Sequence, residues 1–267
     1  MLTEAQILDA ARRYEEAEQA RRPMSPISLE HPDMTMDDAY AIQNAWVDLK
    51  QAQGRRIIGR KIGLTSKAMQ RAMNIDEPDF GTLLDNMWFE NGSTIPAGDF
   101  IDPKIEVEIA FVLGRDLFGE DLTVSDVIEA TEYVTPSMEL IAARSVRTDP
   151  KTGYTRTVLD TISDNAANAG IVVGDSKVAP ADVDLRWAGA ILYRNGEVEE
   201  TGLGAGILDH PAHGIVWLAK RFARHGIGLQ AGHFILSGSF TRPVAVAPGD
   251  GFRADFGPLG EVELSFS

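Results

Sequence analysis

Cysteine is absent from the 267 residues. Disulfides, thiolate nucleophiles and cysteine-type zinc centres are therefore excluded, and a reducing cytosol is compatible with the chain. Histidine is scarce. The five present, His31, His210, His213, His225 and His233, leave a gap from residue 32 to 209. Basic residues are outnumbered, 25 against 40 acidic, for a formal net charge of −15. That balance argues against nucleic acid or an anionic membrane surface as the main partner. It still admits an anionic small molecule, because one bound cation reverses the field of a site. No run approaches the ~20 apolar residues of a membrane span. The N-terminal stretch MLTEAQILDAARRYEEAEQARR is charged throughout and has no apolar core of signal-peptide length. The expectation is a soluble, cytoplasmic protein. HExxH, GxSxG and Walker patterns are missing, and GLGAG at 202–206 lacks the spacing of a dinucleotide loop. A serine hydrolase or a nicotinamide enzyme has no support.

What is present is an ordinary globular composition, 44% hydrophobic, able to bury a sizeable core. Thr3 and Gln6 form a capping-box pattern ahead of a helix over 3–22, with Ile7, Leu8 and Ala11 as a partial apolar stripe. A Pro/Ser-containing connector, 23–32, leads to a second helix from Thr35 to Gly54, whose Ala39, Ile42, Trp46 and Leu49 step by three and four. Ile57–Leu64 reads as strand and turn, and Ser66–Met73 as a short helix. From Asp79 onward strands shorten and turns multiply. Strands are expected over 105–113, 133–141, 233–237, 244–246 and 260–266, and helices over 124–130 and 211–225. A hairpin joins 185–193 to 197–201 through Asn195-Gly196. The organisation expected is an α+β chain with an N-terminal helical segment, 1–75, and a mixed β domain, 76–267.

The most informative stretch is IEVEIAFVL, 105–113. Strict alternation predicts a half-buried strand, with Ile105, Val107, Ile109 and Phe111 on the core face. Glu106 and Glu108 then stand together on the other face, where each raises the pKa of its neighbour. A hard divalent cation removes that conflict; the alternative is an exposed sheet face in bulk water. Glu139, in the apolar run PSMELIAAR, is too costly to bury alone. It either joins the pair or forms a salt bridge, with Arg144 as the nearest candidate. Three carboxylates with open positions suit Mg²⁺ or Mn²⁺ better than zinc.

Lys61 lies between apolar residues in GRKIGLTS. Its alternatives are a partly desolvated acid–base group and a surface lysine whose stem covers apolar area. Asp76, Glu77 and Asp79 fall in DEPDFG, which reads as a loop; turn formers and site residues both occur there. DTISDNAANAG, 160–170, and SGSFTRP, 237–243, are dense in small polar groups; each reads equally as a pocket lining, with Ser163 and Thr241 as the candidates for holding a substrate, or as an ordinary loop. His210 and His213, at a helix start, suit capping better than metal binding.

Taken together, KIGLTSKAMQ, EPDFGTLLDNM, IEVEIAFVL, MELI, DTISDNAANAG and GSFTRPV resemble, in order and spacing, the 2-hydroxypentadienoate hydratase and 4-oxalocrotonate decarboxylase group of the fumarylacetoacetase-like superfamily. The resemblance runs from the second helix to the C-terminus. It implies a mixed β-roll with a Mg²⁺ site (Mn²⁺ as the alternative) on Glu106, Glu108 and Glu139, and acid–base residues at Lys61 and Asp79. It also implies a pentameric or decameric homo-oligomer. The hydrolase branch relies on a histidine near the metal, and none is available here. The expected reaction is hydration of a 2-oxo acid carrying a carbon–carbon double bond, a seven-carbon diacid of homoprotocatechuate breakdown. Arg144, Arg147 or Arg242 would hold its far carboxylate. The rivals are a decarboxylase or a five-carbon dienoate hydratase on the same scaffold, and a non-catalytic partner subunit.

Overall fold

The computed structural model describes residues 1–72 and 74–267. In chain order the elements are α1 (Glu4–Ala20), α2 (Ile27–Glu30), α3 (Met36–Ala52), β1 (Ile57–Gly63), α4 (Lys67–Ala72), β2 (Asp79–Leu84), β3 (Trp88–Phe89), β4 (Thr94–Ile95), β5 (Lys104–Leu113), α5 (Val124–Ala130) and β6 (Thr131–Ile141). They continue with α6 (Val158–Ser163), β7 (Asn168–Val173), β8 (Gly189–Arg194), β9 (Glu197–Leu203), α7 (Ala212–Ala223), β10 (Phe234–Leu236), β11 (Val244–Ala245), β12 (Gly251–Asp255) and β13 (Glu261–Phe266). The fold is α+β, as expected.

The N-terminal helices form where the caps place them. Thr3 and Gln6 close a capping box on α1, and Thr35 and Asp38 close another on α3. Each box satisfies backbone donors that the first turn leaves free. The two helices are tied by Lys50, buried against Glu15 at 2.7 Å and also paired with Glu18. Tyr40 of α3 stacks on Phe80 of β2 at 4.5 Å. The buried Gln43 donates to the carbonyls of Phe80 and Ile162, both at 2.9 Å. The helical segment is thus fastened to the sheet. The expected boundary at residue 75 falls after β1, which is already a strand of the larger sheet. The end expected for the helix at 66–73, Met73, lies outside the described residues.

Two mixed sheets carry the rest. One runs β2-β1-β10-β5-β6-β7-β3, with β11 also paired to β5; the other runs β4-β13-β12-β8-β9. Ile105, Val107, Ile109 and Phe111 face the main core, as the alternation predicts. The opposite face of β5 is not solvent-exposed. It looks into a second, smaller apolar cluster, in which Ala110 of β5 itself is joined by Leu83 of β2, Ile171 of β7 and Leu236 of β10. Strand β5 is therefore covered on both sides, and its acids stand at the polar end of an enclosed face.

Several boundaries differ from expectation. The hairpin strand starts at Gly189 instead of 185, while its Asn195-Gly196 turn has both residues at positive φ, 55° and 84°; such turns match the twist of the flanking strands. Asp79 is not in a loop but opens β2, opposite Gly63 of β1. DTISDNAANAG is no loop either: it supplies α6, a tight turn and the start of β7. β12 carries alternating burial over five residues and lay hidden among glycines and charges.

Candidate active site

Register gathers the acids. Glu106 of β5 pairs directly with Glu139 of β6, and Glu108 lies one pleat further along β5, opposite Ser137. Residues directly opposite on paired strands share a face. Carboxylate oxygens from Glu106, Glu108 and Glu139 all lie within 4.8 Å of one another. Glu108 and Glu139 are buried, at 1% and 0% exposure. Glu106 is half-buried. Bulk water therefore does not explain the pair on β5.

Two of the three acids have partners that fix them. Glu108 Oε2 accepts from the Gly238 backbone N–H at 2.7 Å. Gly238 holds φ at 116°, and a Cβ there would sit 2.2 Å from Thr65 Oγ1, so only glycine fits. Glu139 Oε1 accepts from Asn168 Nδ2 at 2.8 Å and lies 3.2 Å from Lys61 Nζ. The alternative partner for Glu139, Arg144, is engaged elsewhere. Glu139 Oε2 is buried with no hydrogen-bond partner among the described residues. A buried carboxylate oxygen without a donor is costly, and a cation among the three acids would satisfy it. The donor set, all carboxylate oxygen, suits a hard divalent ion.

Asn168 arrives through an unusual turn. Asn165, Ala166 and Ala167 all have positive φ, 51°, 50° and 59°. A left-handed conformation costs roughly 1–2 kcal/mol per non-glycine residue, so tertiary bonds must hold it. Asn165 does so: its side chain donates to Thr82 O at 2.9 Å and accepts from Thr82 N at 2.7 Å, mimicking a strand partner of β2. The sequence pointed to this stretch as polar but did not single out Asn165 or Asn168. Their only sequence signal was asparagine's tolerance of left-handed backbone.

Lys61 and Asp79 lie beside Gly63. A Cβ on Gly63 would come within 2.2 Å of Asp79 Oδ1 and 3.4 Å of Lys61 Nζ. Both groups are buried, Lys61 at 4% and Asp79 at 2% exposure. Lys61 is therefore no surface lysine. Its burial disfavours the charge, but the fields of Glu139, Asp79, Glu106 and Glu108 outweigh that and hold its pKa above the ordinary value. Burial lifts Asp79 to about 6, with Lys61 opposing and Glu139 adding to the rise. Burial, reinforced by Glu139, lifts Glu106 to about 8 and Glu108 well above its ordinary value.

A cleft of about 320 Å³ opens over this group. Gly63, Glu106 and Glu108 line it on one side. Leu64, Met69, Phe240 and Pro243 give apolar wall, and Thr241 and Arg242 stand beside them. Thr241 Oγ1 is buried and unpartnered among the described residues.

The other expected binding residues are placed differently. Ser163 ends α6, buried, with its hydroxyl unpartnered among the described residues, yet it does not line this cleft. Arg144 is buried in an ionic network. Its guanidinium meets Glu18 at 2.6 Å and Asp164 at 2.9 Å, donates to Asn168 O at 3.1 Å, and lies over Trp46. It joins the helical segment to the turn behind Glu139 and has no donor to spare for a substrate in the cleft. Arg147 borders a separate hollow with Thr155 and Thr157. Glu77 pairs with Trp217 Nε1 and Arg221 instead of entering the cleft. His210 and His213 sit at the start of α7 with local backbone partners: His210 Nδ1 accepts from the Ala212 N–H, and His213 Nδ1 meets Leu208 O.

The chain is 52% identical to a 2-oxo-hept-4-ene-1,7-dioate hydratase of Escherichia coli, over 96% of each chain. It is 41% identical to a 2-keto-4-pentenoate hydratase of Paraburkholderia xenovorans, over 99% of this chain and 96% of that one. Among solved structures it superposes on 4-oxalocrotonate decarboxylase from Pseudomonas putida G7, complexed with magnesium and adipate. That superposition has a TM-score of 0.94 and 34% identity, and covers 100% of this chain and 99% of the other. The pattern described as Fumarylacetoacetate (FAA) hydrolase C-terminal matches residues 56–266, which span both sheets, the acidic triad, Lys61 and Asp79. The chain belongs to the fumarylacetoacetate hydrolase family.

Proposed function

We propose that this chain is a hydro-lyase, a divalent-metal-dependent 2-oxo-hept-4-ene-1,7-dioate hydratase of aromatic-compound catabolism that yields 4-hydroxy-2-oxoheptane-1,7-dioate. The observation that carries the reading is the enclosed set of Glu106, Glu108 and Glu139 with Lys61 and Asp79 behind it, beside an apolar-walled cleft. The three glutamates would hold Mg²⁺, with Mn²⁺ as the alternative. Such an ion polarises a 2-oxo group and supports negative charge on its oxygen.

The protein's own groups handle the protons. Asp79, with its pKa near 6, is ionised at neutral pH and accepts a proton from C3 of the substrate. Lys61, kept charged by four surrounding carboxylates, faces the negative charge that develops on the C2 oxygen. Asp79 returns its proton at C5, which moves the double bond from C4=C5 to C3=C4 and into conjugation with the ketone. Water adds its oxygen at C4, and a proton is delivered to C3. The sum is one water gained. Leu64, Met69, Phe240 and Pro243 cover the hydrocarbon part of the substrate, and Thr241 Oγ1 supplies a donor within the cleft.

The test is turnover of five- and seven-carbon 2-hydroxydienoates by the purified chain, with Mg²⁺ added and then chelated. The reading requires metal-dependent loss of dienol absorbance with the seven-carbon diacid preferred. Metal-independent turnover, or none, would sink it. The close superposition on a decarboxylase favours loss of CO₂ as the second reading, and CO₂ release from a 2-oxo-3-enedioate separates the two. A homo-oligomer, pentameric or decameric, completes the proposal. Phe118, Trp187, Val198 and Ile227 are large exposed apolar side chains that assembly would cover, and light scattering of the eluted protein measures the state.

A further inference from the structure

We infer that Arg242 is the specificity-determining residue for a carboxylate at the far end of the substrate, and that Glu200 positions it. The inference rests on the proposed hydratase reading and adds which residue selects a diacid over a monoacid.

Three arginines were candidates from the sequence, and only Arg242 borders the acidic cleft. Its segment is fixed to β5 at both ends. The Phe240 backbone N–H donates to Val107 O at 2.8 Å, and Val244 pairs with Ile105. Arg242 therefore sits in the connection between β10 and β11, held alongside the stretch of β5 that carries Glu106. Phe240 and Pro243 line the same cleft as Glu106, Glu108 and Arg242. The cleft thus offers acids for a metal, apolar wall for a hydrocarbon and a cation for a far carboxylate.

The guanidinium is already oriented. A guanidinium has five N–H donors. Glu200 engages two of them through one oxygen, Nε at 3.0 Å and Nη2 at 2.5 Å. Nη1 makes no hydrogen bond among the described residues. The edge formed by Nη1 and Nη2 matches a carboxylate fork. Glu200 is 18% exposed in its side chain and Arg242 85%, so the acid is the more buried member and the arginine the one open to the cleft. With Glu106, Glu108 and Glu200 all lining the cleft, a second anionic group would be repelled if Arg242 were missing.

The experiment compares wild type, Arg242→Ala, Arg242→Lys and Glu200→Gln. Two quantities are measured: kcat/KM for seven-carbon diacid against five-carbon monoacid, and calorimetric affinity for the saturated analogues 2-oxoheptanedioate and 2-oxopentanoate with Mg²⁺ present. For Arg242→Ala we expect the diacid-to-monoacid ratio to fall about ten- to hundred-fold in both quantities. The loss should appear in KM more than in kcat. Lysine should recover part of it, because it keeps the charge without the fork. Glu200→Gln should lower the ratio less than Arg242→Ala does. A ratio unchanged in Arg242→Ala, with wild type preferring the diacid, overturns the inference and leaves the hydratase reading intact. A wild type that neither turns over nor binds the diacid better than the monoacid overturns both.

Discussion

Lys61 Nζ lies 3.2 Å from Glu139 Oε1, with side-chain exposures of 5% and 0%. Two distant segments thus meet as a buried ion pair. Breaking such a pair leaves an uncompensated buried charge and typically costs about 3–5 kcal/mol. Lys61→Met should therefore lower the thermal midpoint of the metal-free protein, and added Mg²⁺ should restore part of the loss by neutralising the acids. Turnover should fall about 10²–10⁴-fold even where Mg²⁺ restores stability. Calorimetric melting and assay of the same sample check both, and turnover at the wild-type rate would remove Lys61 from the chemistry.

Glu139→Gln keeps the side chain's size and its carbonyl contact with Asn168 while removing the charge. We expect weaker Mg²⁺ binding by titration calorimetry and activity recoverable only at raised Mg²⁺. Unaltered affinity would mean that Glu139 is not a ligand.

The raised carboxyl pKa values fix a pH dependence. An unfolded glutamate titrates near 4.3, while Glu106 in the fold is pushed to about 8. A folded-state value above the unfolded one adds stability that is complete below about pH 4.3 and is lost as pH rises through about 8. The metal-free double variant Glu106→Gln/Glu108→Gln should thus be more stable than wild type at pH 8, with the advantage shrinking towards pH 5. Because a ligand carboxylate must be deprotonated, wild-type Mg²⁺ affinity should decline as pH falls from 8 to 6, with protons released on binding. Denaturation at the two pH values and calorimetry in buffers of different ionisation heat measure these. An affinity flat with pH would contradict the assignment.

Gly63→Ala puts a methyl 2.2 Å from the Asp79 carboxylate oxygen. The carboxylate must move, and the proton transfer proposed for Asp79 would depend on its placement. The expected result is a kcat loss of about tenfold or more with Mg²⁺ affinity little changed. Equal loss of both would show that the methyl disturbs the triad instead.

Arg144→Ala should destabilise the protein by about 3–5 kcal/mol, since Glu18 and Asp164 lose their shared partner. Any enzyme that folds should keep its diacid-to-monoacid preference. A changed preference would return Arg144 to the list of substrate contacts.

The sequence made the local elements legible where a single segment carries the signal. The Thr3 and Thr35 helix starts, the Asn195-Gly196 turn and the apolar alternation of 105–111 depend on neighbours within a few residues, and each forms as expected. Asp79 read as a loop because Pro78 and Gly81 flank it; in the fold β1 supplies the partner strand that straightens it. The 160–170 stretch left a pocket lining and a loop equally open because its turn needs three left-handed residues, which bonds to Thr82, far away in the chain, help to hold.

The sequence by itself determined the chemistry on offer: no thiol, no histidine between 32 and 209, two glutamates on one face of a strand and a third in an apolar run. Alternation along a strand is a property of the backbone, so the shared face of Glu106 and Glu108 needed no fold to be known. Only the tertiary structure decided that Glu139 pairs across to Glu106, that Lys61 and not Arg144 neutralises it, and that Arg242 alone of the three arginines reaches the cleft. Those choices rest on strand register and on which buried charges find a partner, and both are settled by contacts between segments that the chain keeps far apart.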